Sequence, residues 1–140
     1  MIPIYAQEYD FSAFRVLAVD DIPLNLLLVK KMLARFNFNL QTATGGQEAL
    51  DSVARNKPDL ILLDLMMPGI DGYEVIRRLK SNPETANIRI IILTALTSGE
   101  DVSKGFNMGA NDYIMKPIIM ERLLTSVVTQ LSMSQKDKNQ

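Results

Sequence analysis

The chain has 140 residues, 47% of them apolar and 22% charged, with a formal net charge of -1. That is the size and composition of one globular domain rather than two, and its Lys and Arg residues are spread out, so no basic patch is present to grip nucleic-acid phosphates. Cysteine and histidine are both absent, which excludes disulfides, thiol nucleophiles and imidazole chemistry and leaves carboxylates, hydroxyls, amides and lysine to do any work.

In chain order, residues 1–13 read as an N-terminal extension. Its acidic start, Met1 to Asp10, lacks the basic and apolar regions of a signal peptide. No later stretch approaches the ~18 uninterrupted apolar residues of a membrane span. No membrane insertion and a cytoplasmic location are therefore expected. The domain proper is expected over 14–131. Strands are predicted at Arg15 to Val19, Asn37 to Thr42 (a weaker alternation), Asp59 to Leu65, Ile88 to Thr94 and Asp112 to Met115. Runs such as Leu60-Ile61-Leu62-Leu63 and Ile90-Ile91-Ile92-Leu93 do not alternate with polar residues, as suits strands buried on both faces of a parallel sheet. Helical spacing falls between and after them, at Leu24 to Phe36, Gly46 to Asn56, Gly72 to Ser81, Ser98 to Met108 and Ile118 to Leu131. In the first of these, Pro23 suits the opening turn, and Leu24, Leu27 and Leu28 with Lys31 to Leu33 mix a broad apolar face with a basic one.

The repeated strand-helix unit implies right-handed crossovers and a doubly wound, flavodoxin-like α/β fold. Five parallel strands in the order 2-1-3-4-5 carry five helices in three α/β/α layers. Pro68-Gly69 and Asp71-Gly72 read as the turn after the third strand, and Gly109 as a left-handed helix stop. Ser132 to Gln140 is polar without periodicity and reads as a frayed tail or the start of a linker, with no output domain following.

In such a sheet the ligand site lies beyond the carboxyl ends of the strands, where the strand order reverses. Asp20-Asp21 end the first strand and Asp64 ends the third, its neighbour. Taken singly, each could be a helix cap or turn residue. Together, three carboxylates repel unless a cation or a basic group is supplied, and all-oxygen ligation favours Mg²⁺. Thr94-Ala95 at the end of the fourth strand offers a hydroxyl beside a small residue. Lys116-Pro117 at the end of the fifth offers a cation, with a proline that the cis form would use to aim the lysine inward. Acids, hydroxyl and lysine along one sheet edge make a complete phosphoryl site.

From about Phe14 to Leu131 the chain resembles the receiver domains of bacterial two-component response regulators. The resemblance is carried by Asp20-Asp21, by Leu62 to Gly72, by Thr94-Ala95, by Gly109 to Tyr113 and by Lys116-Pro117. It implies that Asp64 is the phosphoacceptor and that Asp20 and Asp21 hold Mg²⁺ together with Asp64 and the backbone carbonyl of Met66. It also implies that Thr94 and Lys116 bind phosphoryl oxygens and that Tyr113 is an aromatic switch. The implied donor is a histidine kinase or a histidine phosphotransfer protein. The chain would be either a stand-alone regulator or a receiver belonging to a larger kinase, and no turnover of an external substrate is expected. A homodimer or partner face is expected where the fourth helix, fifth strand and fifth helix meet. Met66 and Leu96 are apolar at positions where many receivers are polar, so slow self-dephosphorylation is expected.

Two other functions fit the sequence less well. An aspartyl phosphohydrolase usually spaces its two acids by one residue, whereas Asp20 and Asp21 are adjacent. A flavin carrier needs a cradle that the loop Asp20 to Asn25 does not provide. A receiver used only as an interaction module would not need the full set of site residues.

Overall fold

The computed structural model describes residues 10–96 and 98–138, apart from the side chains of Arg35 and of 135–138. Most of the expected N-terminal extension and the last two residues of the expected tail lie outside the described residues.

Five strands, β1 (Arg15–Val19), β2 (Asn39–Ala43), β3 (Leu60–Leu63), β4 (Arg89–Thr94) and β5 (Asp112–Met115), form one parallel sheet in the order β2-β1-β3-β4-β5. Side chains alternate across a sheet, so each apolar run feeds two cores. Val16, Ala18, Leu60, Leu62, Ile91 and Leu93 face helices α1 (Pro23–Leu33) and α5 (Met120–Lys138), while Leu17, Val19, Ile61, Leu63, Ile90 and Ile92 face the opposite layer. That layer comprises α2 (Gly46–Arg55), α3 (Gly72–Lys80) and α4 (Gly99–Asn107). The expected sheet order and three-layer architecture are therefore present.

Helix starts follow local chemistry. The Asp71 carboxylate accepts from the Glu74 N–H and opens α3, and the Ser98 hydroxyl accepts from the Asp101 N–H and opens α4. Gly72 cannot carry a side chain, because a Cβ there would stand 2.5 Å from the Asp64 carbonyl oxygen. The start of α3 is thereby packed directly against the end of β3.

Several element boundaries differ from the sequence reading. The first helix does not run to Phe36: after Leu33 it tightens into a 3-10 turn, Ala34–Phe36, and Asn37 takes a left-handed φ of 58°. Asn37 thus closes the helix rather than opening β2, a conformation that asparagine tolerates better than most residues. Leu24, Leu27 and Leu28 are exposed, and the buried stripe is Leu26, Val29 and Leu33. With leucines on every side, periodicity alone selects no face. The fifth helix begins two residues later than expected and continues through the polar segment to Lys138. Extension costs little once a helix is formed, and no Gly or Pro interrupts those residues. Core packing starts ahead of the expected boundary at residue 14: Phe11 is buried, its ring 5.6 Å from that of Phe14 and stacked at 5.3 Å on Phe38.

Candidate functional site

Strand register assembles the site. Val19 of β1 pairs with Leu63 of β3, and the Asp64 N–H donates to the Val19 carbonyl at 3.0 Å. The residues one step beyond, Asp20 and Asp64, therefore leave adjacent strands side by side. On the other flank Thr94 pairs with Met115, and the Lys116 N–H donates to the Thr94 carbonyl at 2.9 Å. That continues the ladder one residue past β5, and the Lys116-Pro117 bond is cis.

The side chains meet above the sheet. Asp20, Asp21 and Asp64 each present a carboxylate oxygen within 4.8 Å of the others. Lys116 Nζ lies 2.9 Å from Asp20 Oδ2 and 3.1 Å from Asp64 Oδ2. Burial by itself would lower the pKa of this ammonium, but the hydrogen bonds and charges of Asp20 and Asp64 outweigh burial and hold it above its ordinary value. Backbone donors orient the acids: the Ile22 N–H reaches Asp20 Oδ1 at 2.9 Å, and the Met66 N–H reaches Asp64 Oδ1 at 3.1 Å. The donor set consists of carboxylate oxygens without sulfur or imidazole. It suits a hard divalent cation such as Mg²⁺ and not a soft one.

Thr94 is fully buried at the end of β4, and its hydroxyl accepts from the Leu96 N–H at 3.3 Å instead of bonding the acids. Tyr113 packs inward, and its hydroxyl donates to the Leu96 carbonyl. Burial first, and then the charge of Asp101, raise its pKa. Thr94 and Tyr113 are thus joined through one loop residue, Leu96. Met66 exposes its side chain at the rim.

Asn25 was not singled out from the sequence. Its Nδ2 donates to Asp20 Oδ2 at 3.1 Å. The available signal was a lone amide among Leu24, Leu26, Leu27 and Leu28. Asp20, Asn25, Leu28, Leu93, Lys116 and Pro117 all border a cleft of about 220 Å³ between α1 and the segment after β5.

A family model for the response regulator receiver domain matches residues 16–128. The chain belongs to this family. As a receiver domain it is a module of two-component signal transduction, and the resemblance read from the sequence is borne out. The response regulator PleD of Caulobacter vibrioides is 44% identical over 104 residues, covering 74% of this chain and 23% of PleD. A probable cyclic di-GMP phosphodiesterase of Vibrio cholerae is 40% identical over 122 residues, covering 87% of this chain and 27% of that protein. The receiver thus spans about a quarter of the length of these relatives. Among solved structures, the receiver domain of a signal transduction histidine kinase from Syntrophus aciditrophicus is 34% identical with a TM-score of 0.79, covering 85% of this chain and 90% of that one. The receiver domain of a putative Luxo repressor protein from Vibrio parahaemolyticus is 30% identical with a TM-score of 0.85, covering 89% and 95%. The acidic cluster of this receiver fits the Mg²⁺ site expected of such domains. No helix among the described residues is long and apolar enough to cross a membrane.

Proposed function

We propose that Asp64 is the phosphoacceptor of this receiver, taking a phosphoryl group from a phosphohistidine on a histidine kinase or histidine phosphotransfer protein. The observation that carries the reading is the convergence of Asp20, Asp21 and Asp64 with Lys116 Nζ bridging two of them. In the transfer an Asp64 oxygen forms a bond to phosphorus as the phosphorus-nitrogen bond breaks, and the imidazole leaves with the electron pair. A carboxylate is a weak nucleophile, so the chain contributes mainly orientation and charge stabilisation.

Asp20, Asp21, Asp64 and the Met66 carbonyl would hold Mg²⁺, which when bound neutralises charge on the transferring oxygens. The Lys116 ammonium supplies a second positive charge there. Thr94 exchanges its contact with the Leu96 N–H for a phosphoryl oxygen. Tyr113 senses that exchange because its hydroxyl is bonded to the carbonyl of the same Leu96, and the surface made by α4, β5 and α5 changes in response. Exposed Phe106, Met115 and Ile119 on that surface support its use as the partner or homodimer face. The domain turns over no external substrate, and Met66 and Leu96 make its self-dephosphorylation slow. A cytoplasmic location belongs to the same reading.

The test is intact mass after incubation with acetyl phosphate, with and without Mg²⁺, for the wild type and Asp64→Asn. A single phosphoryl adduct is expected only in the wild type with Mg²⁺. An equal adduct in Asp64→Asn would remove Asp64 from the role.

A further inference from the structure

We infer that Asn25 is a positioning residue that holds the Asp20 carboxylate in its cation-binding orientation, a role that rests on the phosphoacceptor reading above. Asn25 stands in the first turn of α1, its own N–H bonded to the Ile22 carbonyl at 3.0 Å. The turn brings its amide back over Asp20, five residues earlier, where Nδ2 donates to Oδ2 at 3.1 Å. The Ile22 N–H holds Oδ1 from the same loop at 2.9 Å. With one donor from this segment on each oxygen, the plane of a nearly buried carboxylate is set from a single side. The amide does not cap its own helix, and asparagine is a poor helix former, so local secondary structure gives no reason for it in this otherwise apolar stretch.

The other donor on Oδ2 is Lys116, at 2.9 Å, and it also serves Asp64 at 3.1 Å. When negative charge moves outward onto a phosphoryl group at Asp64, the ammonium follows it and Asp20 loses that contact. Asn25 then remains as the side-chain donor on Asp20. A neutral amide suits the task because it orients the carboxylate without cancelling the charge that a metal ion needs. A cation in the same place would compete with the metal. Outer partners of this kind commonly change metal affinity by 10–100-fold when removed.

The experiment is an amide NMR titration of the whole chain with MgCl₂, following the Ile22 and Met66 N–H signals, which report on Asp20 and Asp64. Wild type, Asn25→Leu, Asn25→Ala and the exposed control Leu24→Ala are compared. Asn25→Ala favours the helix and keeps the test usable if the leucine variant does not fold. Both Asn25 variants are expected to raise the Mg²⁺ Kd by about 10-fold, and Leu24→Ala to leave it unchanged. With acetyl phosphate the Mg²⁺ concentration for half-maximal phosphorylation shifts by the same factor, while the rate at saturating Mg²⁺ stays within about twofold of wild type. An unchanged Kd in the folded Asn25 variants, with the wild type binding normally, overturns the role of Asn25 alone. A wild type that shows no Mg²⁺-dependent shift and forms no adduct overturns the phosphoacceptor reading and this inference with it.

Discussion

The ammonium of Lys116 answers two buried carboxylates at once, and removing it leaves like charges facing each other in a poorly hydrated crevice. Lys116→Met is therefore expected to lose about 1–3 kcal/mol of stability in EDTA, and to regain more of it than the wild type gains when Mg²⁺ is added. Urea denaturation with and without the metal checks this. An equal response to Mg²⁺ in both proteins would show that the acids do not depend on the lysine. A second residue-scale prediction concerns the rim. Met66 is exposed and two residues beyond Asp64, and its thioether cannot order a water by donating a hydrogen bond. Met66→Asn is expected to shorten the lifetime of the phosphorylated form several-fold, read by the decay of the adduct mass after acetyl phosphate is removed. At this scale the acids, Thr94 and Lys116 stand out in the sequence because each is a polar residue at or just beyond the carboxyl end of an apolar strand, whereas Tyr113, the second residue of β5, is marked by the family resemblance and by its place three residues before Lys116. Asn25 does not stand out, because its importance comes from the path of the chain after Asp20 and not from any strand end.

Among the elements, α4 is the least anchored in the core. The residue it buries is Gly105, where a Cβ would stand 2.7 Å from the Ile92 side chain. Val102 and the C-cap residue Met108 pack half-buried against the same core, and a further, polar hold comes from α3. The Tyr73 hydroxyl lies 3.3 Å from the Asp101 carbonyl and 3.4 Å from its carboxylate, and Lys104 Nζ sits 4.0 Å above the Tyr73 ring. Burial, and then Asp101, push the Tyr73 hydroxyl up to about 12, so it remains a donor throughout the neutral range. Tyr73→Phe keeps the ring under Lys104 and removes only the hydroxyl. It is expected to cost about 1 kcal/mol and to speed amide exchange in α4 while leaving α2 unchanged. Equal acceleration in both helices would mean general loosening instead of a local tether. The helices themselves were legible from spacing and caps, with the errors concentrated at their ends. The overrun of the first helix is instructive: burial of Phe36 and the left-handed Asn37 end it, and neither leaves a mark in local periodicity.

For the molecule as a whole, acid stability depends in part on Asp112, which ties β5 to α5. Burial alone would raise its pKa, but hydrogen bonds from Arg122, Ser126 and the Tyr113 N–H, with the Arg122 charge, hold it below the ordinary value of 3.8. A carboxylate depressed in the folded state contributes stability that is fully present above its unfolded pKa and is lost as pH falls through the lower folded one. The stability advantage of wild type over Asp112→Asn should thus be constant from neutral pH to about pH 5 and shrink below 3.8, as measured by urea denaturation across that range. A gap that stays constant at low pH would exclude the linkage. The amino-acid sequence by itself determined the alternation of strands and helices, the two-sided burial of the sheet and the polar residues at its carboxyl edge, because all of these are set by short-range periodicity and strand length. Only the tertiary structure decided which leucines of α1 meet the core, that Phe11 belongs to it, and that Thr94 and Tyr113 share Leu96 while Asn25 shares Asp20 with Lys116. Those contacts join residues through packing and chain reversal, and a periodic pattern specifies which face is buried without specifying what lies against it.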